Sequence, residues 1–190
     1  MMKNLTSRPR FFIEWLVLNV IGFTLGSLHG ATTDGFIPTI IPGMIGVILG
    51  DLVFGGMIGF VQYLALSRTP LLSVTSAWIL ATSLGFTLGA RSGAFFTFRI
   101  TQDWTLAGVV FGVFMGASVG LVTAFALFRK LPSARHILIW VGICILAWII
   151  GESIAFAAHF SLRTVPLVAL AIAVITGVGL ILLQSHLQTE

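Results

Sequence analysis

The chain has 190 residues, 57% of them hydrophobic and 8% charged, with a formal net charge of +4 and a mean hydropathy of +1.08. So few polar side chains cannot cover a water-facing surface, which excludes a soluble globule and leaves an all-α, polytopic membrane domain. The lone cysteine, Cys144, excludes an intrachain disulfide, and the basic residues are spread too thinly over short loops to make a nucleic-acid surface.

Lys3, Arg8 and Arg10 precede the first apolar run, 11–28. Basic residues before an apolar stretch also describe a secretory signal, but Glu14 lies inside the run, and its Trp15, Gly22 and Gly26 recur later in the chain, so it is expected to be a retained helix. The next connection, 31–40, carries Thr32, Thr33, Asp34, Gly35 and Pro38. A second run, 41–66, is interrupted by glycines and holds an acidic residue, Asp51. Further runs follow at 71–90, 106–128, 137–158 and 165–183, which gives six stretches of at least about 18 residues, the length that crosses a bilayer. Pro70 and Pro132 punctuate two tight connections, whereas 91–105 reads as a longer loop with Arg91, Arg99, Gln102, Asp103 and Trp104. Within it, Phe95, Phe96 and Phe98 with Arg99 suit the membrane interface.

Two patterns repeat along these runs. Trp15-x6-Gly22-x3-Gly26 returns as Trp78-x6-Gly85-x3-Gly89, and again as Trp140, Ala147 and Gly151 with alanine for the middle glycine. Gly55-x3-Gly59 with Leu66 and Arg68 returns as Gly116-x3-Gly120 with Leu127 and Arg129, and a faint third version is read from Gly177 to His186. The repeating unit is thus a helical hairpin, with units at about 11–68, 71–130 and 137–186 in one transmembrane domain. In lipid, where helices gain nothing hydrophobic by associating, the glycine pairs serve close packing. A flat pigment, quinone or sterol lying in such a groove is the sharper alternative. The tryptophans that open the odd-numbered runs read as interfacial anchors, Trp15 above all.

Lys and Arg residues set the orientation. With the N-terminus inside, Lys3, Arg8, Arg10, Arg68, Arg129, Lys130 and Arg135 fall on the inner side and Arg91, Arg99 and Arg163 on the outer, which places both termini in the cytoplasm.

Charged side chains within spans are costly and therefore mark function by default. Asp51 and Glu152 lie at similar depth in the outer half of their spans, and both break the repeat: Asp51 stands opposite Gly112, and Glu152 opposite Ser27 and Ala90. Arg91, His29 and His159 near the outer ends of other spans complete a candidate ligand- or ion-binding cluster, His159 following Glu152 on the same helix face. The alternative is a structural ion pair in which Arg91 neutralises one carboxylate. Gln62 is expected to bond a neighbouring helix. The histidines His29, His136, His159 and His186 show no metal-ligand spacing, and a haem between His29 and His159 is the one cofactor arrangement these positions would allow. No phosphate loop, hydrolytic triad or intramembrane lysine is present, so catalysis is not expected and no cofactor is specified.

The combination Gly59-x2-Gln62-x-Leu64-x-Leu66-x-Arg68 followed by Trp78-x6-Gly85-x3-Gly89 resembles a group of uncharacterised multi-pass proteins of cyanobacteria and green non-sulfur bacteria. The third unit departs from that pattern, with Thr123 already replacing Gln62 in the second. The resemblance implies a repeated-hairpin topology in a bacterial inner or thylakoid membrane, and no catalytic residue. Two function classes follow. One is a non-catalytic accessory subunit of a larger membrane complex, packed against partner proteins, lipids or pigments. The other is a small transporter or substrate-binding membrane subunit built on Asp51 and Glu152.

Overall fold

The computed structural model describes residues 7–30, 35–68, 74–127 and 133–187; Lys3, Thr32, Thr33, Asp34, Pro70, Arg129, Lys130, Pro132 and the side chain of His186 lie outside the described residues. These form α1 (Ser7–His29), α2 (Phe36–Ile40), α3 (Gly43–Ser67), α4 (Ala77–Ile100), α5 (Trp104–Leu127), α6 (Ala134–Ala157) and α7 (Val165–Leu187), with a 3-10 turn at Leu162–Thr164 and no strand among the described residues. Pro9 and Pro166 occupy first turns, where a missing N–H costs nothing. The Asp103 carboxylate accepts the Leu106 N–H at 2.8 Å and caps α5. Gly43, with φ of 81°, lets the chain turn sharply out of Pro42 into α3.

Five helices, α1, α3, α5, α6 and α7, are long and apolar enough to cross a membrane. α4 has 24 residues but carries Arg91, Arg99 and five hydroxyl side chains, Thr82, Ser83, Thr87, Ser92 and Thr97, and is not among the five. α4 also runs through most of the stretch read as a loop from residue 91. Nothing between Ala90 and Ile100 breaks a helix, and the chain extends only at Thr101. Phe95, Phe96 and Phe98 are exposed on it, and the Arg99 guanidinium sits 3.6 Å from the centroid of the Phe95 ring.

The helices pack in a closed ring: α1 on α3, then α4, α5, α6, α7, and α7 back on α1. Neighbours are antiparallel, since Gly22 meets Met57 and Val61 while Gly26 meets Phe54, and the same inverse pairing continues through Gly55 and Gly59 against Ser83 and Ile79, and Gly85 and Gly89 against Val119 and Met115. Gly116 and Gly120 lie on Ile145 and Val141, and Gly151 on Ile172. Outward, α1 shows Ile13, Val17, Ile21, Leu25 and Leu28, and α4 shows Leu80, Leu84 and Leu88, one turn apart. Large aliphatic side chains facing outward, with polar groups such as Asn19, Gln62, Asp51 and Glu152 turned inside, suit contact with lipid.

At the end of the ring where α1 begins, hereafter proximal, the three repeat tryptophans point inward. Trp15, Trp78 and Trp140 are 1–2% exposed, so they are core residues and not interfacial anchors. The reason is the indole N–H, which finds a partner inside the ring: Trp78 donates to Gln62 Oε1 (3.2 Å), Trp140 to Thr123 Oγ1 (2.9 Å) and Trp15 to Thr176 Oγ1 (3.2 Å). Each bond joins a tryptophan helix to the preceding helix of the ring. Thr176 therefore stands where Gln62 and Thr123 stand, and the third version of the second pattern is Ala169-x3-Ala173-x2-Thr176, not the stretch beginning at Gly177; alanine had replaced glycine and hidden the register. Gln62 also donates to Asn19 Oδ1 at 2.8 Å, and Asn19 donates to the Trp15 carbonyl at 2.8 Å. Gln62→Leu strips partners from both Trp78 and Asn19 and is expected to cost about 2–6 kcal/mol, at about 1–3 kcal/mol per orphaned buried group, read as a lower melting temperature in detergent.

Candidate functional site

Above the tryptophan layer, four rings meet in a circuit: Phe23 on Phe54 (centroids 5.7 Å), Phe54 on Phe86 (4.6 Å), Phe86 on Trp148 (5.8 Å) and Trp148 on Phe23 (5.8 Å). Between the two aromatic layers only about 20 Å³ of space remains, room for about one water. On the distal side of the circuit the ring opens into a cavity of about 500 Å³.

The cavity wall follows the repeat. Phe23, Phe86 and Trp148 are the residues after the middle small residue of each first pattern, Gly22, Gly85 and Ala147, and all three line it. Ser27, Ala90 and Glu152, the residues after Gly26, Gly89 and Gly151, line it one turn higher. The partner helices α3, α5 and α7 supply Phe54, Met115 and Val168, and α3 and α7 also Asp51 and Val165. All six long helices contribute, with Phe111 and Phe156 closing the side and Phe160, Ser161 and Leu162 the rim.

Three charged residues reach this cavity, and they are differently held. Asp51, 1% exposed, contacts the Arg91 Nε at 2.7 Å in an ion pair not aligned as a hydrogen bond, while Arg91 keeps one third of its side chain exposed. Glu152, 8% exposed, has no hydrogen bond or ion pair among the described residues. Asp51, Arg91 and Glu152 therefore line one cavity.

The two histidines do not join them. His29 turns its Nδ1 to the Leu25 carbonyl of its own helix, 2.7 Å away, and stacks edge-on with Phe36. His159 does not follow Glu152 along one helix face, because α6 ends at Ala157 and His159 has a left-handed backbone, φ 49°. Its ring lies against Trp104, centroids 5.7 Å apart, outside the cavity. Phe160, φ 54°, repeats that conformation and so turns into the rim; non-glycine residues in this region cost about 1–2 kcal/mol each. The Trp104 indole donates to the Phe156 carbonyl at 2.5 Å and ties α5 to this turn. Among the described residues no group of His, Cys, Asp and Glu is arranged to hold a metal ion.

The glycines of both patterns lie between helices of the same chain, and the cavity wall holds none of them. The aromatic wall was missed from sequence although the signal was there: one residue past each middle small residue is aromatic in all three copies.

Comparison with protein-family models, with curated proteins and with solved structures finds no match to this chain.

Proposed function

We propose that the protein is a ligand-binding membrane protein that holds a small, largely apolar solute in the distal cavity, and that it binds without catalysing. The helical apolar segments fit an integral membrane protein. In the proposed arrangement the chain spans a bacterial inner or thylakoid membrane six times as three tandem hairpins, as in the proteins it resembles, with both termini cytoplasmic and the cavity facing out.

One observation carries the reading: about 500 Å³ lined by rings and aliphatic side chains, with only Asp51, Arg91 and Glu152 charged at its wall among the described residues. Pockets of about 300–1,000 Å³, mostly apolar with a few placed polar groups, are the usual form of small-molecule sites. The tight tryptophan layer beneath supports capture of a solute in preference to a self-contained route across the membrane. An accessory subunit docked through its glycine faces is the weaker reading, since those faces are spent on neighbours within the chain.

The test is mass spectrometry of small molecules extracted from protein purified out of its native membrane. About one molecule per chain is expected. It should be lost in Ala94→Phe, which fills the wall, and kept in Leu84→Phe on the lipid-facing side. Lipid alone, in equal amounts in all three proteins, would overturn the proposal.

A further inference from the structure

We propose, resting on the cavity as a ligand site, that the ligand carries a basic nitrogen and that Glu152 is its counter-charge. The wall has one carboxylate more than it has cations: Arg91 is matched by Asp51, and Glu152 by nothing among the described residues. Burying a carboxylate without a partner is costly, and removing one partner of a buried pair leaves the same kind of debt, so a partner from outside the chain is the economical explanation for its place here.

The wall's own hydroxyls do not serve Glu152. Ser27 donates to the Thr24 carbonyl at 2.8 Å and Thr164 to the Ser161 carbonyl at 2.7 Å. Arg91 is held 2.7 Å from Asp51. The Ser161 hydroxyl at the rim makes no hydrogen bond to Glu152 either, and in this proposal the donor comes with the ligand.

The surroundings of Glu152 select the kind of donor. On α6, Trp148 lies one turn before it and Phe156 one turn after, and both line the same cavity. Phe111 packs on Phe156 with centroids 5.7 Å apart, and Phe86 on Trp148 at 5.8 Å. A carboxylate set among aromatic faces is the arrangement that holds an alkylammonium by charge and by cation–π contact together. The apolar remainder of the wall asks for an aromatic or alkyl body on that ammonium. At the two positions equivalent to Glu152, Ser27 and Ala90 are uncharged, so the cationic group has one place to sit and the ligand one orientation.

The probes are tryptamine, its neutral alcohol analogue tryptophol, and indolepropionate, titrated calorimetrically into the detergent-solubilised wild type and Glu152→Gln. The wild type is expected to bind tryptamine at least about tenfold more tightly than tryptophol, equal to about 1.4 kcal/mol. In Glu152→Gln that preference should shrink to within about twofold while tryptophol binding persists. The comparison of probes in the wild type stands even if the variant does not fold. Equal binding of amine and alcohol, a preference that survives Glu152→Gln, or tightest binding of indolepropionate would overturn the inference and leave the cavity reading intact. Binding of none of the three would overturn both.

Discussion

Arg91→Ala is expected to destabilise the protein by about 3–5 kcal/mol, the cost of leaving a buried partner uncompensated. Asp51 is 1% exposed and its one cation is Arg91, at 2.7 Å. Removing the arginine leaves a carboxylate that must either stay charged among phenylalanines or take up a proton. Asp51→Asn should cost less, because the freed Arg91, already one third exposed, can turn toward the distal opening. The double variant Asp51→Asn with Arg91→Ala should recover most of the loss. Thermal melts of the three in one detergent give the coupling directly; additive losses would show that the two side chains do not stabilise each other.

Gly116→Leu is expected to abolish the fold. A Cβ there would sit 2.4 Å from the Ile145 Cα and 2.6 Å from the Cys144 carbonyl oxygen, both backbone atoms that no rotamer change can move. Relief requires α5 and α6 to part along their length, and Gly108, Gly112 and Gly120 hold the same close approach above and below. The cost exceeds the about 1–3 kcal/mol of an ordinary overpacked core, because two backbones and not two side chains collide. Gly142 is the control on the neighbouring helix: no atom lies within 4 Å of its virtual Cβ, and Gly142→Leu should express and melt as the wild type. Monodisperse Gly116→Leu protein with an unchanged melt would refute this account of the glycines.

The glycine positions at the helix crossings were legible because glycine there admits few substitutes, and a constraint that strict survives in sequence. Where alanine serves as well, at Ala169 and Ala173, the register was lost, and it took the Trp15 to Thr176 bond to restore it. Asp51 and Glu152 stood out because charge in an apolar run is conspicuous. A cation so near a span end reads as a boundary, and Gly93 just after Arg91 strengthens that reading, yet α4 runs on through both to Ile100. The tryptophans misled for a related reason: an amphipathic ring at the start of a span suits an interface, and only the ring of helices supplies the interior acceptors that make burial better. His159 was misplaced because the end of α6 depends on two left-handed residues, neither of them glycine, that no local motif announces.

The closure of the ring between α1 and α7 bears on how the cavity is completed. The hydroxyl that receives the Trp15 indole N–H is 161 residues further along the chain, so this contact forms only when α7 has come back to α1. Ser27 and Phe23 of α1 and Val165 and Val168 of α7 line the same cavity, so its wall draws on both ends of the ring. Without α7 the remaining five long helices form an open arc, so the cavity wall is complete only when α7 closes on α1.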